Sequence, residues 1–208
     1  MKLYEFAPTR SIRVRWTLQE LEVPFESITI DLSKNEHRDP QFLAVNPAGR
    51  LPVLIDGDFL LTESATIVRY LAEKFPEKQF WPQSLRDRAQ ADRWLMFTVT
   101  ELEQPLWRIA RHSSIYPEAQ RLPADIEIAK REFRKMVQVL EAHMRNRAFI
   151  CGAQVTVADF VLAYTLDWAN EVGVLNECPT LLAYMERMYS RPRAAMRIEQ
   201  ALESVGLA

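Results

Sequence analysis

Residues 46–64 read Asn46-Pro47-Ala48-Gly49-Arg50-Leu51-Pro52-Val53-Leu54-Ile55-Asp56-Gly57-Asp58-Phe59-Leu60-Leu61-Thr62-Glu63-Ser64. The opening Asn-Pro and Ala-Gly pairs are turn signals. A short apolar run, Leu51 to Ile55, then predicts a strand carrying Pro52 near its start. Proline cannot donate to a ladder, so that strand is expected at a sheet edge or distorted at that point. Asp56-Gly57 is a hairpin signal, and Phe59-Leu60-Leu61 is the returning strand. Thr62-Glu63-Ser64 leads into a helix with Ile67, Val68 and Leu71 on one face.

This local geometry carries a chemistry. A proline at the strand start leaves the backbone groups of Leu51 open to an extended peptide, which can pair with them as an added strand. The free N–H groups of a helix start, together with Ser64, suit a carboxylate. Glu63 can accept from an ammonium group. The combination describes a binder of a small peptide with a free amino-carboxylate end.

Upstream, Lys2 to Phe6 reads as a strand, and Ala7-Pro8-Thr9 as a turn. From Ser11 the run Ile12, Val14, Trp16, Leu18 and Leu21 reads as a largely buried helix ending before Pro24. Phe25 to Asp31 is a second strand, with Ile28 and Ile30 on one face. Strand, helix and strand within this length make a βαβ unit, so the order of the first part is βαβ followed by ββα. Between the two halves lies the polar loop containing His37 and Arg38. Downstream, Phe75 to Gln83 reads as a linker and the remainder as helical. The span from Ser84 to His112 is expected to kink at Pro105. Pro123, Pro179 and Pro192 are each expected to open a helix. Thr156 and Asp159 form a capping-box-like start for a buried helix.

The 208 residues are 48% apolar with a net charge of −2, a globular composition with no basic block to suit nucleic acid. No stretch has the length and apolarity to cross a bilayer, and no signal-peptide pattern is present, so a soluble cytoplasmic protein is expected. The two cysteines, Cys151 and Cys178, are expected as buried free thiols rather than a disulfide. His37, His112 and His143 are dispersed and no CxxC is present, which argues against a metal site. The five glycines form neither a GxGxxG nor a Walker pattern, which argues against a nucleotide cofactor.

The combination NPxGxLPVL, hairpin, ESxxIxxYL resembles the glutathione-binding half of the cytosolic glutathione transferases. The resemblance covers nearly the whole chain and is densest between Glu36 and Leu71. It implies an α/β N-terminal thioredoxin-like domain (βαβ-ββα) over residues 1–76, a linker at 77–83, and an all-α C-terminal helical domain over 84–208. It implies that Leu51, beside a cis Pro52, pairs with the cysteinyl of glutathione, and that Glu63 and Ser64 hold its γ-glutamyl end. Arg50 joins these glutathione contacts. His37, in a stretch resembling phi-like members, is implied at the glycine end with Arg38 beside it.

The resemblance leaves the catalytic hydroxyl between two registers. Alignment from Arg13-Val14 puts Pro8, which cannot donate, where phi and zeta members carry serine. Alignment from the first strand, as in the nu-like group, gives Thr9. Ser11 is the next candidate, read also as the N-cap of the first helix, and Tyr4 comes after it. The second substrate is expected where the two domains meet, lined by Phe6, Trp107, Arg108, Arg111, His112, Tyr116 and Trp168. The implied activity is conjugation of glutathione, a co-substrate, to small electrophiles by a homodimer, with Arg69, Phe75, Phe80 and Trp81 near the seam. A glutathione-dependent disulfide or peroxide reductase and a non-catalytic glutathione- or protein-binding member are the alternatives.

Overall fold

The computed structural model describes residues 1–206, which cluster into two units: Met1 to Trp81 together with the segment from Arg191 onward, and Pro82 to Ser190.

The first unit is built on a four-stranded mixed sheet of β1 (Lys2–Glu5), β2 (Glu26–Thr29), β3 (Val53–Asp56) and β4 (Phe59–Thr62), in the order β2-β1-β3-β4. β1 pairs parallel with β2 and antiparallel with β3, and β3 pairs antiparallel with β4. The parallel pair needs a crossover, supplied by helix α1 (Ser11–Leu21). A short helix α2 (Pro40–Val45) follows β2, and α3 (Ser64–Lys74) follows β4. Leu3, Val14, Leu18, Leu54, Ile67, Val68 and Leu71 are closed to solvent and form the core.

Of the two alternatives expected for β3, an edge position or a distortion at Pro52, the edge position is corrected. β3 is an interior strand, not an edge, because β4 and β1 flank it. Pro52 does not interrupt its ladder, since the first paired residue is Val53. The edge on that side is β4, whose Phe59 and Leu60 are exposed.

The end of the chain also differs from the sequence reading. Pro192 starts no helix; the next helix is α9 (Ile198–Ser204). The reason lies in α1. Arg191 donates through Nε and Nη2 to the buried Glu20 at 2.6 and 2.8 Å, and Arg193 reaches Glu22 at 2.6 Å. These anchors hold residues 191–193 against the end of α1 as a turn, so the segment groups with the first unit rather than with residues 84–190.

The second unit contains α4 (Leu85–Phe97), α5 (Glu103–Ala110), α6 (Pro123–Met144), α7 (Val157–Glu171) and α8 (Pro179–Tyr189). Pro123 and Pro179 stand at the first turns of α6 and α8, as expected. The irregularity expected at Pro105 falls just before it, as a π-helical turn over Thr98–Leu102 that joins α4 to α5. Proline withholds the donor that the carbonyl one turn back requires, and a widened turn redistributes those bonds. At the start of α7, the buried Asp159 carboxylate accepts from Thr156 N at 2.8 Å and Thr156 Oγ1 at 3.0 Å, which forms the expected capping box.

Cys151 and Cys178 are free thiols as expected, Cys178 buried but Cys151 only half-buried, and desolvation pushes each up to about 11. At pH 8 each should carry about 200-fold less thiolate than an ordinary thiol of pKa ~8.5. Alkylation by iodoacetamide is therefore expected to be slow in the native protein and rapid once it is unfolded, as mass spectrometry would read. Rapid labelling of both cysteines in the native state would contradict the burial described here.

Candidate functional site

The elements of the first unit converge at the carboxyl end of β1. Val53 pairs with Tyr4 in the last rung of the antiparallel ladder, so Leu51 and Pro52 lead into β3 at that end of the sheet. Ligands of open α/β sheets sit at such strand ends. The Leu51-Pro52 bond is cis, as the sequence reading expected, and Ala7-Pro8 is cis as well. None of the turn and loop backbone hydrogen bonds among the described residues uses Leu51. Its approach is fixed by Asn46, whose side chain donates to Arg50 O at 2.8 Å and accepts from Ala48 N at 3.1 Å.

Gly49 ties this turn to the polar loop. Its φ is +60°, and a Cβ there would lie 2.9 Å from the carbonyl oxygen of His37. The His37 turn is therefore packed on the segment that delivers Arg50, Leu51 and Pro52. Among the described residues the buried His37 Nδ1 has no hydrogen-bond partner. Arg50 is exposed.

The start of α3 is uncapped and its backbone is irregular. Glu63 is an exposed non-glycine residue with φ 66° and ψ 106°, a backbone position that costs about 1–3 kcal/mol and recurs at ligand sites. No side chain caps α3, so the N–H groups of its first turn are left for solvent or a ligand. Ser64 is buried and accepts from Nη1 of Arg13 at 3.3 Å. The sequence reading missed Arg13. A single cation between Ile12 and Val14, in a run otherwise read as buried, was the available signal, and Arg13 is in fact fully closed to solvent.

Thr9 and Ser11 are brought together by the turn that follows β1. Their hydroxyl oxygens are 2.7 Å apart. Thr9 Oγ1 also lies against Phe6 O and accepts from Ser11 N at 3.2 Å, while Phe6 N donates to Ser11 Oγ at 3.4 Å. Ser11 is not the N-cap expected from the sequence, because it is already the first residue of α1. The hydroxyl that accepts from the helix start is that of Thr9. Tyr4 lies within β1, with its ring against Phe42.

In the second unit, Trp107 and Trp168 meet edge to face at 5.9 Å, and the Arg111 guanidinium lies over Trp107 at 5.4 Å. His112 packs edge-on against Tyr116 at 5.2 Å. Both of its ring nitrogens are engaged: Nδ1 accepts from Leu122 N at 3.2 Å, and Nε2 faces Asp125 at 3.4 Å. Arg108 is committed to Asp125 and Glu132. Among the described residues no group of three or more His, Cys, Asp or Glu side chains is placed to hold a metal ion.

Residues 1–73 match the family model of the glutathione S-transferase N-terminal domain, and residues 103–192 match that of the C-terminal domain. The glutathione S-transferase GstA of Escherichia coli is 31% identical over 212 residues, covering 100% of both chains. The chain belongs to the glutathione S-transferase family. Glutathione S-transferase 1 of Dianthus caryophyllus is 36% identical over 168 residues, covering 78% of this chain and 74% of that protein. Among solved structures, the theta class glutathione S-transferase of Xanthomonas axonopodis with glutathione bound superposes with a TM-score of 0.83. It is 26% identical and covers 94% of this chain and 96% of its own.

As a glutathione transferase fold, the chain gathers Thr9, Ser11, Leu51, Pro52, Ser64 and the unforeseen Arg13 around one end of one sheet. His37 and Arg50 belong to the same loop cluster. Phe6 is buried and belongs to the first unit. The polar groups of His112 and Arg108 hold the connection between α5 and α6 together. Trp107, Arg108, Arg111, His112, Tyr116 and Trp168 all keep part of their surface open.

Proposed function

We propose that this protein conjugates the thiol of glutathione to small electrophiles. The observation that carries the reading is the uncapped start of α3, where Ser64 is held by a buried arginine. It stands on the same unit as Leu51, whose backbone is not used by the surrounding turn. In this reading Ser64 and the first N–H groups of α3 bind the γ-glutamyl carboxylate, and Glu63 accepts from its ammonium group. Leu51 pairs with the cysteinyl backbone beside Pro52, while His37 and Arg50 attend the glycine end.

The reaction needs a thiolate near neutral pH. A thiol of pKa ~8.5 must be lowered by about one to three units, roughly 1.4 kcal/mol each. The hydroxyl of Thr9 supplies the donor that stabilises the anion. The sulfur then forms a bond to the electrophilic carbon, the leaving group departs with its electron pair, and the thiol proton passes to solvent. Trp107, Arg111, Tyr116 and Trp168 are the side chains proposed to meet the electrophile. The two free cysteines support work in a reducing compartment, the cytoplasm.

Ser64→Ala tests the binding site. It should weaken glutathione by about 1–3 kcal/mol in calorimetry, the usual cost of losing a hydrogen bond to a charged group. Unchanged affinity would remove Ser64 from the site.

The Ala-Pro-Thr segment favours a second reading, a glutathione-dependent disulfide or peroxide reductase. Assays with a chloronitrobenzene and with hydroxyethyl disulfide, run side by side, separate the two. Silence in both would mark a protein that binds without turnover.

We further propose a twofold homodimer, the commonest closed assembly. The exposed Phe59 and Leu60 on edge strand β4 support it, together with the exposed Leu85 and Met96 of α4. Phe80 and Trp81 are buried in the single chain. Sedimentation at micromolar concentration should give twice the chain mass, and a monomeric mass would contradict the proposal.

A further inference from the structure

We propose that Ser11 is a positioning residue that acts through Thr9, strengthening the Thr9 hydroxyl as the donor to the glutathione sulfur. The inference rests on the glutathione reading above and concerns how two adjacent hydroxyls divide one task.

Counting donors and acceptors fixes the direction of the network. Phe6 O is a carbonyl oxygen and only accepts, so the contact with Thr9 Oγ1 requires the Thr9 proton to point at it. The 2.7 Å contact between the two hydroxyls must then be supplied by the Ser11 proton. Ser11 Oγ in turn accepts from Phe6 N at 3.4 Å. The result is a closed ring that begins at Phe6 N–H, passes through Ser11 and Thr9, and returns to Phe6 C=O.

Two features make this ring a switch with one movable proton. Phe6 O also accepts from Thr9 N at 2.9 Å, so it stays satisfied if the Thr9 hydroxyl turns away. Thr9 is half-exposed, whereas Ser11 is 1% exposed and has no route of its own to a ligand. When a thiolate arrives, the Thr9 proton rotates from Phe6 O to the sulfur. Ser11 N–H and Ser11 Oγ–H then both donate into Thr9 Oγ1, drawing electron density from it. Chained hydrogen bonds polarise one another, so Thr9 becomes a stronger donor than an isolated hydroxyl. No covalent bond changes in the protein; only the orientation of one O–H does.

The test is a double-mutant cycle read by the pKa of bound glutathione, from the ultraviolet absorbance of its thiolate. Ser11→Ala should raise that pKa, though by less than Thr9→Val does, and lower kcat near neutral pH while KM for glutathione holds. Each unit of rise removes about tenfold of the thiolate well below the pKa. Ser11→Thr keeps the hydroxyl and should restore the wild-type pKa. The double variant should match Thr9→Val alone, because Ser11 has no effect without Thr9 to act through.

A double variant clearly worse than Thr9→Val overturns the inference, as Ser11 would then act on the sulfur independently. So does a Ser11→Ala variant with reduced thermal stability but wild-type thiol pKa, because its role would then be structural alone. Failure of the wild-type protein to bind glutathione in calorimetry would sink the proposed function itself, a different outcome from either of these.

Discussion

Asp159→Ala should destabilise the protein by about 3–5 kcal/mol, because it leaves several buried donors unsatisfied at roughly 1–3 kcal/mol each. Asp159 is fully closed to solvent. Its carboxylate accepts from Ile150 N at 2.8 Å, Thr156 N at 2.8 Å, Thr156 Oγ1 at 3.0 Å and Tyr184 Oη at 2.8 Å. Burial pushes its carboxyl up, and the four donors oppose that shift. Truncation would leave those donors facing a cavity, each an unmet hydrogen bond. The damage should spread, because the same carboxylate joins the start of α7, the loop at Ile150 and α8. Urea denaturation followed by circular dichroism would measure the change. Asp159→Asn, which keeps the shape and one acceptor oxygen, should fall between the two. A loss below about 1 kcal/mol for the alanine variant would show the network to be no more than an ordinary helix cap.

Thr9→Val should cut the conjugation rate near neutral pH by about 10–100-fold, somewhat less than the full cost of losing an oxyanion-type donor. Valine keeps the volume and branching of threonine and removes only the donor. The pKa of bound glutathione should rise towards its solution value. Affinity should change little, because the contacts proposed for Leu51, Glu63 and Ser64 remain. The rate should recover as pH is raised, since the deficit lies in the amount of thiolate. A rate that stays low at every pH would instead indicate that the valine has misplaced the sulfur.

What the sequence revealed and what it concealed divide along a physical line. The hairpin at Asp56-Gly57, the Thr156–Asp159 box and the helix starts at Pro123 and Pro179 are local events, encoded by residues a few positions apart. Each appears where those residues predict it. The interior position of β3 depends on pairing with β1, some fifty residues away, which no local pattern specifies. Pro192 carries the same local signal as Pro179, but the ion pairs of Arg191 with Glu20 and of Arg193 with Glu22, just past α1, override it.

The site divides in the same way. Ser64 and Leu51 stand out because an apolar strand and a helix start flank them. Arg13 was concealed because its partner Ser64 is far along the chain. The spacing of Thr9 and Ser11 offered two candidate hydroxyls. It could not show that the two are bonded to each other, which depends on the turn closing over Phe6.

A crystal structure of the protein with glutathione tests the central claim most directly. The expected result has the cysteinyl backbone paired with Leu51, the γ-glutamyl carboxylate on Ser64 and the first turn of α3, and the sulfur within hydrogen-bonding distance of Thr9 Oγ1. Glutathione bound away from the start of α3, or with its sulfur on neither Thr9 nor its immediate surroundings, would contradict the account.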